Sequence, residues 1–169
     1  ENMVPGTADA VVTAASADEA ASLAASFETF IKQEAKISGN AELSDKTVTF
    51  HVVGKGAHGA SPQSGINAAT FLATFLNDYS FAEGAYSFIN TIAEFIHEDF
   101  YGEKLGVAFE DEKMGKLTMN AGIVNFDPEN PENSLVTLNF RYPKGTSAEE
   151  LQAKVQATVG ETVTATQGD

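Results

Sequence analysis

The chain has 169 residues, of which 43% are hydrophobic and 20% charged, the size and balance of one globular domain or of two small fused lobes. Ten basic and 24 acidic side chains give a formal net charge of −14, which disfavours nucleic acid and membrane surfaces as partners. The lack of Cys excludes a disulfide framework, and with no long apolar run or signal-peptide start the sequence predicts a cytoplasmic protein.

The first part of the chain predicts a strand followed by a helix. A Pro-Gly turn leads into a stretch rich in β-branched residues, which favours a strand ending near Thr13. Ser16 followed by Glu19 is a capping box, the pattern that opens a helix. Apolar residues then recur at helical spacing, at Ala20, Leu23, Ala24, Phe27, Phe30 and Ile31. We expect this helix to end at residues 38–40, which read Ser-Gly-Asn.

The middle of the chain predicts one strand and two helices. Val48, Phe50 and Val52 alternate with more polar residues, as in a half-buried strand. A loop of small residues follows, and then come two helices. Their apolar positions are Ile66, Ala69, Thr70, Ala73 and Leu76 in the first, and Ala85, Phe88, Ile89, Ile92, Ile96 and Phe100 in the second. Residues 102–116 are charged and contain glycine, so we expect a surface loop with at most a short helix.

The last third predicts two strands, a helix and a final strand. The first two strands cover residues 116–126 and 134–142 and are joined by a turn rich in Asp, Asn and Pro. A second capping box, Ser147 with Glu150, opens the helix. Residues 161–166 are rich enough in β-branched side chains to predict a strand.

This order of elements predicts an α+β fold. From residue 47 the order is strand, helix, strand, strand, helix, strand with one additional helix, which is the ferredoxin-like βαββαβ arrangement. Residues 1–46 add a β-α half-repeat of their own. We therefore divide the chain into a partial repeat at 1–46 and a ferredoxin-like repeat at 47–169, which together form one domain with helices covering the sheet.

His58 is the first candidate for chemistry. It lies among glycines and alanines, just beyond the predicted end of a strand and before Pro62 and a helix. Such a position exposes the imidazole and leaves room for a ligand. A histidine there can donate a hydrogen bond to a developing oxyanion or titrate near neutral pH. The alternative is an ordinary solvated loop histidine.

Arg141 and Asn2 are two further candidates. Arg141 is the only Arg in the chain, and it projects from the less apolar face of its predicted strand. A guanidinium can hold a carboxylate through two parallel hydrogen bonds, which Lys cannot do. The alternative is an ion pair with one of the 24 acidic residues. The Asn2 amide could bond a ligand or merely shape the turn before Pro5.

The residues themselves point to no metal site in this chain. Zinc needs several convergent His or carboxylate ligands, and none of the three histidines is part of a His-x-x-x-His pair. We assign His51 and His97 to structure. The sequence also lacks a Gly-x-Ser-x-Gly nucleophile elbow and a phosphate loop.

Three motifs carry a resemblance to a known family. The stretch 54–68 reads Gly-x-x-x-His and then Pro-x-x-Gly-x-Asn-Ala; residues 2–5 read Asn-Met-Val-Pro, and residues 139–143 read Asn-Phe-Arg-Tyr-Pro. This set resembles the lid of the zinc hydrolase family of aminoacylases, acetylornithine deacetylases and succinyl-diaminopimelate desuccinylases. The order of the motifs and the extra helices are most similar to the PepV-like bacterial dipeptidases, and the resemblance covers nearly the whole chain.

The resemblance implies a lid that caps the substrate of a separate catalytic domain holding two zinc ions. It implies that His58 polarises the scissile carbonyl of a dipeptide and stabilises the oxyanion. It implies that Arg141 binds the terminal carboxylate and that Asn2 contacts the substrate beside it. The chain itself is then expected to bind no metal and to be inactive without that catalytic domain, which is its main partner.

A short internal repeat extends this interpretation. A strand followed by Ser-Ala-Asp-Glu-Ala at residue 16 matches a strand followed by Ser-Ala-Glu-Glu-Leu at residue 147. The first copy keeps Asn-x-Val-Pro and the second keeps Arg141, so we expect a full lid fused to a partial one. Such a fusion imitates a dimer and lets a monomeric parent use His58 in cis. The alternatives are a non-enzymatic ligand-binding or regulatory ferredoxin-like module and the lid of a related deacylase or aminopeptidase.

Overall fold

The computed structural model describes residues 2–79, 83–127, 134–160 and 163–168. Its elements in chain order are β1 (Thr7–Thr13), α1 (Ala17–Gln33), β2 (Ser38–Ser44), β3 (Thr47–Val53), α2 (Ala68–Leu76), α3 (Glu83–Phe95), β4 (Glu110–Asp111), β5 (Gly115–Lys116), β6 (Thr118–Asn125), β7 (Leu135–Arg141) and α4 (Ala148–Val159). Helices and antiparallel strands are both present, so the predicted α+β class is confirmed.

A three-stranded antiparallel sheet has β3 at its centre, between β1 and β2. The inner face of β3 carries Val48, Phe50 and Val52, each at most 1% exposed, which confirms the alternation predicted for this strand. The helix α1 covers this face, and the rings of Phe27 and Phe50 lie 4.8 Å apart between centroids. The core therefore begins between this sheet and α1.

The N-cap serine of each predicted capping box is confirmed. The hydroxyl of Ser16 accepts a hydrogen bond from the backbone N–H of Glu19 at 3.1 Å, and α1 begins at Ala17, directly after Ser16. The hydroxyl of Ser147 accepts one from the N–H of Glu150 at 3.2 Å, and α4 begins in the same way. Each hydroxyl satisfies a backbone donor that has no partner inside its helix.

The predicted end of the first helix at residues 38–40 is wrong, because α1 ends at Gln33 and β2 occupies this stretch. The signal for β2 is weak, since Leu43 is its only large apolar side chain. Gly39 is required at its place, because a Cβ there would lie 2.2 Å from the carbonyl oxygen of His51 on β3. Close approach of two backbones therefore explains the Gly that looked like a helix terminator.

The strands β6 and β7 form a second, two-stranded antiparallel sheet with a bulge. Thr118 lies opposite Arg141 at one end of this ladder. Val136, Leu138 and Phe140 pack against the core, as the sequence predicts for the more apolar face of β7. The helix α2 lies deeper than any other, with Ala68, Thr70, Phe71, Leu72, Ala73, Phe75 and Leu76 all buried.

Residues 102–116 are more than the predicted surface loop. Leu105 is fully buried, Val107 is 1% exposed, and the short strands β4 and β5 pair as a hairpin. Gly102 and Gly106 have φ values of +72° and +74°, a left-handed conformation that a glycine adopts without strain. The turns at these two glycines allow the side chains of Leu105 and Val107 to pack into the core.

The strand predicted at 161–166 is wrong in its described part, because residues 163–168 pair with no strand; residues 161–162 lie outside the described residues. Side chains of α4 take the place of a neighbouring strand. Gln156 donates to the carbonyl of Val163 at 2.7 Å and accepts from the N–H of Ala165 at 2.8 Å. Gln152 donates to the carbonyl of Ala165 at 3.0 Å.

The ferredoxin-like arrangement and the division at 46/47 stay predictions. Among the described strands, β6 and β7 pair only with each other, while β1 and β2 from the first stretch pair with β3 from the second. The proposed boundary falls in the tight turn between β2 and β3. None of the helices described is long and apolar enough to span a membrane.

Candidate functional site

The segment before β1 runs antiparallel to the loop after β3. Met3 and His58 form an isolated bridge, the N–H of Val4 donates to the carbonyl of Ala57 at 2.8 Å, and the N–H of Gly59 donates to the carbonyl of Asn2 at 2.7 Å. A Cβ on Gly59 would lie 2.6 Å from Oδ1 of Asn2, so only glycine lets the two segments approach this closely. The backbone therefore brings Asn2 and His58 together.

The imidazole of His58 is exposed and has a defined hydrogen-bonding state. Its Nδ1 accepts a hydrogen bond from the backbone N–H of Ala60 at 3.0 Å. A backbone amide can only donate, so Nδ1 offers its lone pair and the neutral ring carries its proton on Nε2. The free side of the ring is therefore an N–H donor, the form that a developing oxyanion requires.

The loop that carries His58 is anchored at its C-terminal side. Lys55 and Ile66 exchange two backbone hydrogen bonds of 2.9 and 2.8 Å, and a single 3-10 turn, Pro62–Ser64, lies between them. Asn67 then caps α2 by accepting from two backbone N–H groups, and its amide donates to the carbonyl of Ala121 at 3.0 Å. The Asn of the sequence motif thus ties the loop to β6.

Asn120 is a site residue that the sequence did not single out. It is 3% exposed, and its amide donates to the carbonyl of Met3 at 3.1 Å. This bond joins β6 to the segment that carries Asn2 and pairs with His58. A polar residue between Met119 and Ala121 in an otherwise apolar stretch is the signal that could have found it, because a buried amide needs a partner.

Arg141 is exposed at the end of β7 and lines an open cavity of about 220 Å³. Ala60, from the loop of His58, lines the same cavity, as do Lys116 and Thr118. Among the described residues, Arg141 forms no ion pair despite the 24 acidic side chains of the chain. Asn2 and His58 do not line this cavity, so the loop reaches it through Ala60, and the guanidinium of Arg141 is free to bind an anion.

The other two histidines bond within the protein. His51 lies on the outer face of β3, where its Nδ1 contacts the carboxylate of Asp9 on β1. His97 Nδ1 lies 2.8 Å from the hydroxyl of Thr70. Burial lowers the pKa of His97 to about 4, against the opposing charge of Glu98. Neither ring faces the cavity beside Arg141.

His97, Glu98 and Asp99 are consecutive and could suggest metal ligands, but their groups are already used. The carboxylate of Asp99 accepts from the backbone N–H groups of Glu103 at 3.1 Å and Lys104 at 2.7 Å, and Glu98 pairs with Lys36 at 2.9 Å. A neighbouring cavity of about 20 Å³ has room for about one water molecule. Within the ranges described, no three His, Asp or Glu side chains could hold a metal ion.

Comparison with known proteins gives a family and several relatives. A family model described as the peptidase dimerisation domain matches residues 44–166. The Beta-Ala-Xaa dipeptidase of Lactobacillus delbrueckii subsp. lactis is 38% identical over 129 residues, covering 76% of this chain and 27% of that protein. The "Putative dipeptidase" of Staphylococcus epidermidis is 29% identical over 160 residues, covering 95% and 33%. The chain thus spans about a third of the length of these relatives or less.

Proposed function

Because this chain belongs to the peptidase dimerisation domain family, we propose that it is the substrate-capping lid of a dipeptidase. One observation carries the proposal: His58 has an Nε2–H donor and lies on the loop whose Ala60 lines the cavity of Arg141, which has no carboxylate partner among the described residues. A dipeptide needs a donor at its carbonyl oxygen and a cation at its terminal carboxylate. The names of the two relatives, both dipeptidases, support this choice of substrate.

His58 acts on the carbonyl of the bond that is cleaved. Its Nε2–H donates to the carbonyl oxygen, and the bond strengthens as that oxygen gains negative charge in the tetrahedral intermediate. The N–H of Ala60 holds the ring in the required tautomer, and the bridge between Met3 and His58 fixes the loop. The donor is therefore in place before the substrate binds, so little reorganisation opposes the reaction.

Arg141 and Asn2 position the substrate. The guanidinium of Arg141 binds the terminal carboxylate in two parallel hydrogen bonds, which restricts the substrate to peptides with a free carboxyl end. The amide of Asn2, on the segment beside His58, bonds the peptide next to that carboxylate. Fixing the carboxyl end of a short peptide at two points brings its carbonyl to the reacting group with little loss of entropy during the reaction.

The described residues do not fit a zinc site, since no three ligands converge. The two zinc ions of this proposal would be held by a separate catalytic domain of the parent protein and would supply the Lewis-acid chemistry there. The contribution of the lid is to bind, orient and polarise the substrate. The lid alone is therefore expected not to hydrolyse peptides.

We further propose that the parent is a cytoplasmic monomer that uses His58 in cis. The partial repeat at 1–46 supplies Asn2 next to His58 within one chain, so no second subunit is needed to bring them together. An obligate dimer in light scattering of the full-length parent would reject this. A lid of a related deacylase or aminopeptidase remains the second candidate, because Arg141 would bind any substrate with a free carboxylate.

The test is His58→Ala in the full-length parent, assayed on dipeptides. Loss of one oxyanion donor lowers kcat by about 10²–10³-fold while leaving KM largely set by Arg141. His51→Ala is the matched control, because His51 lies on the outer face of β3 and away from the cavity. Near-normal turnover in His58→Ala, or an equal loss in both variants, would contradict the role.

A further inference from the structure

A second cation lines the cavity beside Arg141. Lys116 lies two residues before Thr118, and Thr118 is the residue opposite Arg141. Leu117 between them is fully buried, so Lys116 and Thr118 project on the same, outer side. Lys116, the last residue of β5, is therefore two residues along the chain from the position opposite Arg141, a separation that long side chains bridge.

Neither positive charge is neutralised by the protein. The ammonium of Lys116 lies 5.0 Å from the centre of the Tyr101 ring, a contact that holds the group in place and leaves its charge intact. Within the part of the chain described here, no carboxylate lies within 4.0 Å of Lys116 or of Arg141. Two uncompensated cations in one cavity repel each other. A ligand with two anionic groups would neutralise both charges and remove this repulsion.

Three groups of the site follow one another backwards along the chain, two on β6 and the third at the end of β5. Asn120 contacts the segment paired with His58, Thr118 faces Arg141, and Lys116 lies farther along. At about 3.3 Å per residue, Lys116 is roughly 7 Å beyond Thr118. A peptide with its carbonyl at His58 and its terminal carboxylate at Arg141 thus directs the side chain of its last residue towards Lys116.

We propose that Lys116 binds a side-chain carboxylate on the C-terminal residue of the substrate, so that the parent enzyme prefers dipeptides ending in Glu or Asp. The proposal rests on the dipeptidase function proposed above and names its substrate class. The walls of the cavity suit such a residue, since Met114 and Tyr142 expose apolar surface to the methylene groups between the two carboxylates.

The experiment compares kcat/KM of the full-length parent for Ala-Glu and Ala-Gln, two dipeptides of the same shape that differ in one charge. Wild type is expected to favour Ala-Glu by about 5- to 10-fold, the usual effect of one added charge pair. Lys116→Gln brings this ratio close to 1, and Lys116→Arg retains most of it. Lys113→Gln is the matched control, because Lys113 is exposed nearby and does not line the cavity.

The outcomes separate this proposal from the one on which it rests. Cleavage of Ala-Gln with no preference for Ala-Glu, or an unchanged ratio in Lys116→Gln, overturns the role of Lys116 and leaves the dipeptidase function standing. Failure to cleave either dipeptide overturns the proposed function and the assignment of Lys116 with it. A thermal unfolding midpoint equal to that of the wild type shows that a lost preference in Lys116→Gln is not a loss of fold.

Discussion

Burial lowers the pKa of His97 to about 4, because the ring packs edge-on against Phe71 and only 14% of its side chain is exposed. Lys104 and Lys36 add to the effect, while the negative charge of Glu98 opposes it. The neutral ring keeps a hydrogen bond to the hydroxyl of Thr70, which itself lies in the first turn of α2. His97 therefore joins the end of α3 to the helix that begins at the site motif.

This perturbation predicts a loss of stability in mild acid. His97 takes up a proton near pH 6.5 in the unfolded chain and only near pH 4 in the folded chain. The contribution of the neutral ring to the free energy of unfolding is therefore complete above pH 6.5 and is lost as the pH falls towards 4. The loss reaches on the order of 2–3 kcal/mol by pH 4–5. His97→Asn keeps a hydrogen-bonding group without titrating, and urea unfolding at pH 7.5 and pH 5 should show a smaller drop for it. Equal drops in both proteins would contradict the assignment.

The segment after α4 has no regular structure and is held by the side chains of Gln152 and Gln156. Gln156 makes three hydrogen bonds to it, with the carbonyls of Gly160 and Val163 and the N–H of Ala165. Gln156→Met keeps the length of the side chain and removes all three bonds, which we expect to cost about 1–2 kcal/mol and to release residues 163–168. Hydrogen exchange should then rise at Ala165.

Gln33→Met is the control for this prediction, because it makes the same chemical change at an exposed position of α1. It should leave both the stability and the exchange of residues 163–168 unchanged. If Gln156→Met behaved in the same way as Gln33→Met, the glutamine bonds would not be what holds the segment. The edge of another element would then have to supply the contacts.

Elements whose own sequence determines them were predictable, and those that depend on contacts with another element were not. The capping hydroxyls of Ser16 and Ser147 and the alternation in β3 are local signals, and all three are confirmed. The strand β2 is specified by the approach of β3 at Gly39, and the final segment is specified by Gln156. Each partner belongs to the neighbouring element and not to the stretch itself, so the local pattern indicated a helix end in one case and a strand in the other.

The same distinction applies to the site. His58 and Asn2 belong to motifs that can be read in the chain, and the structure brings them side by side. Asn120 and Lys116 carry no motif, because they are singled out only by a bond to Met3 and by a place in the same cavity as Arg141. Residues whose role depends on contacts with another segment can be identified only once the structure shows which segments are in contact.

At the scale of the whole molecule, the family match and the sheet divide the chain differently. The match covers residues 44–166 and so begins at the last residue of β2. The sheet, however, takes β1 and β2 from the first stretch and β3 from the second. A unit that begins at residue 47 would leave β3 without either neighbour.

This difference leads to a prediction about residues 47–169 produced without 1–46. Val48, Phe50 and Val52 would lose the cover of α1, at about 1.5–3 kcal/mol each, and β3 would lose both of its ladders. Even before the lost ladders are included, the sum of about 4.5–9 kcal/mol is comparable to the 5–15 kcal/mol that holds a typical domain together. We therefore expect no cooperative thermal unfolding from this piece by circular dichroism.

A chain cut between residues 46 and 47 with both pieces kept together is the control. The cut falls in the turn between β2 and β3, so the paired strands can still assemble, and the mixture should recover a cooperative transition whose midpoint depends on concentration. Cooperative unfolding of 47–169 alone would instead make it an autonomous repeat. The first 46 residues would then be an attachment that supplies Asn2 rather than part of the core that positions His58.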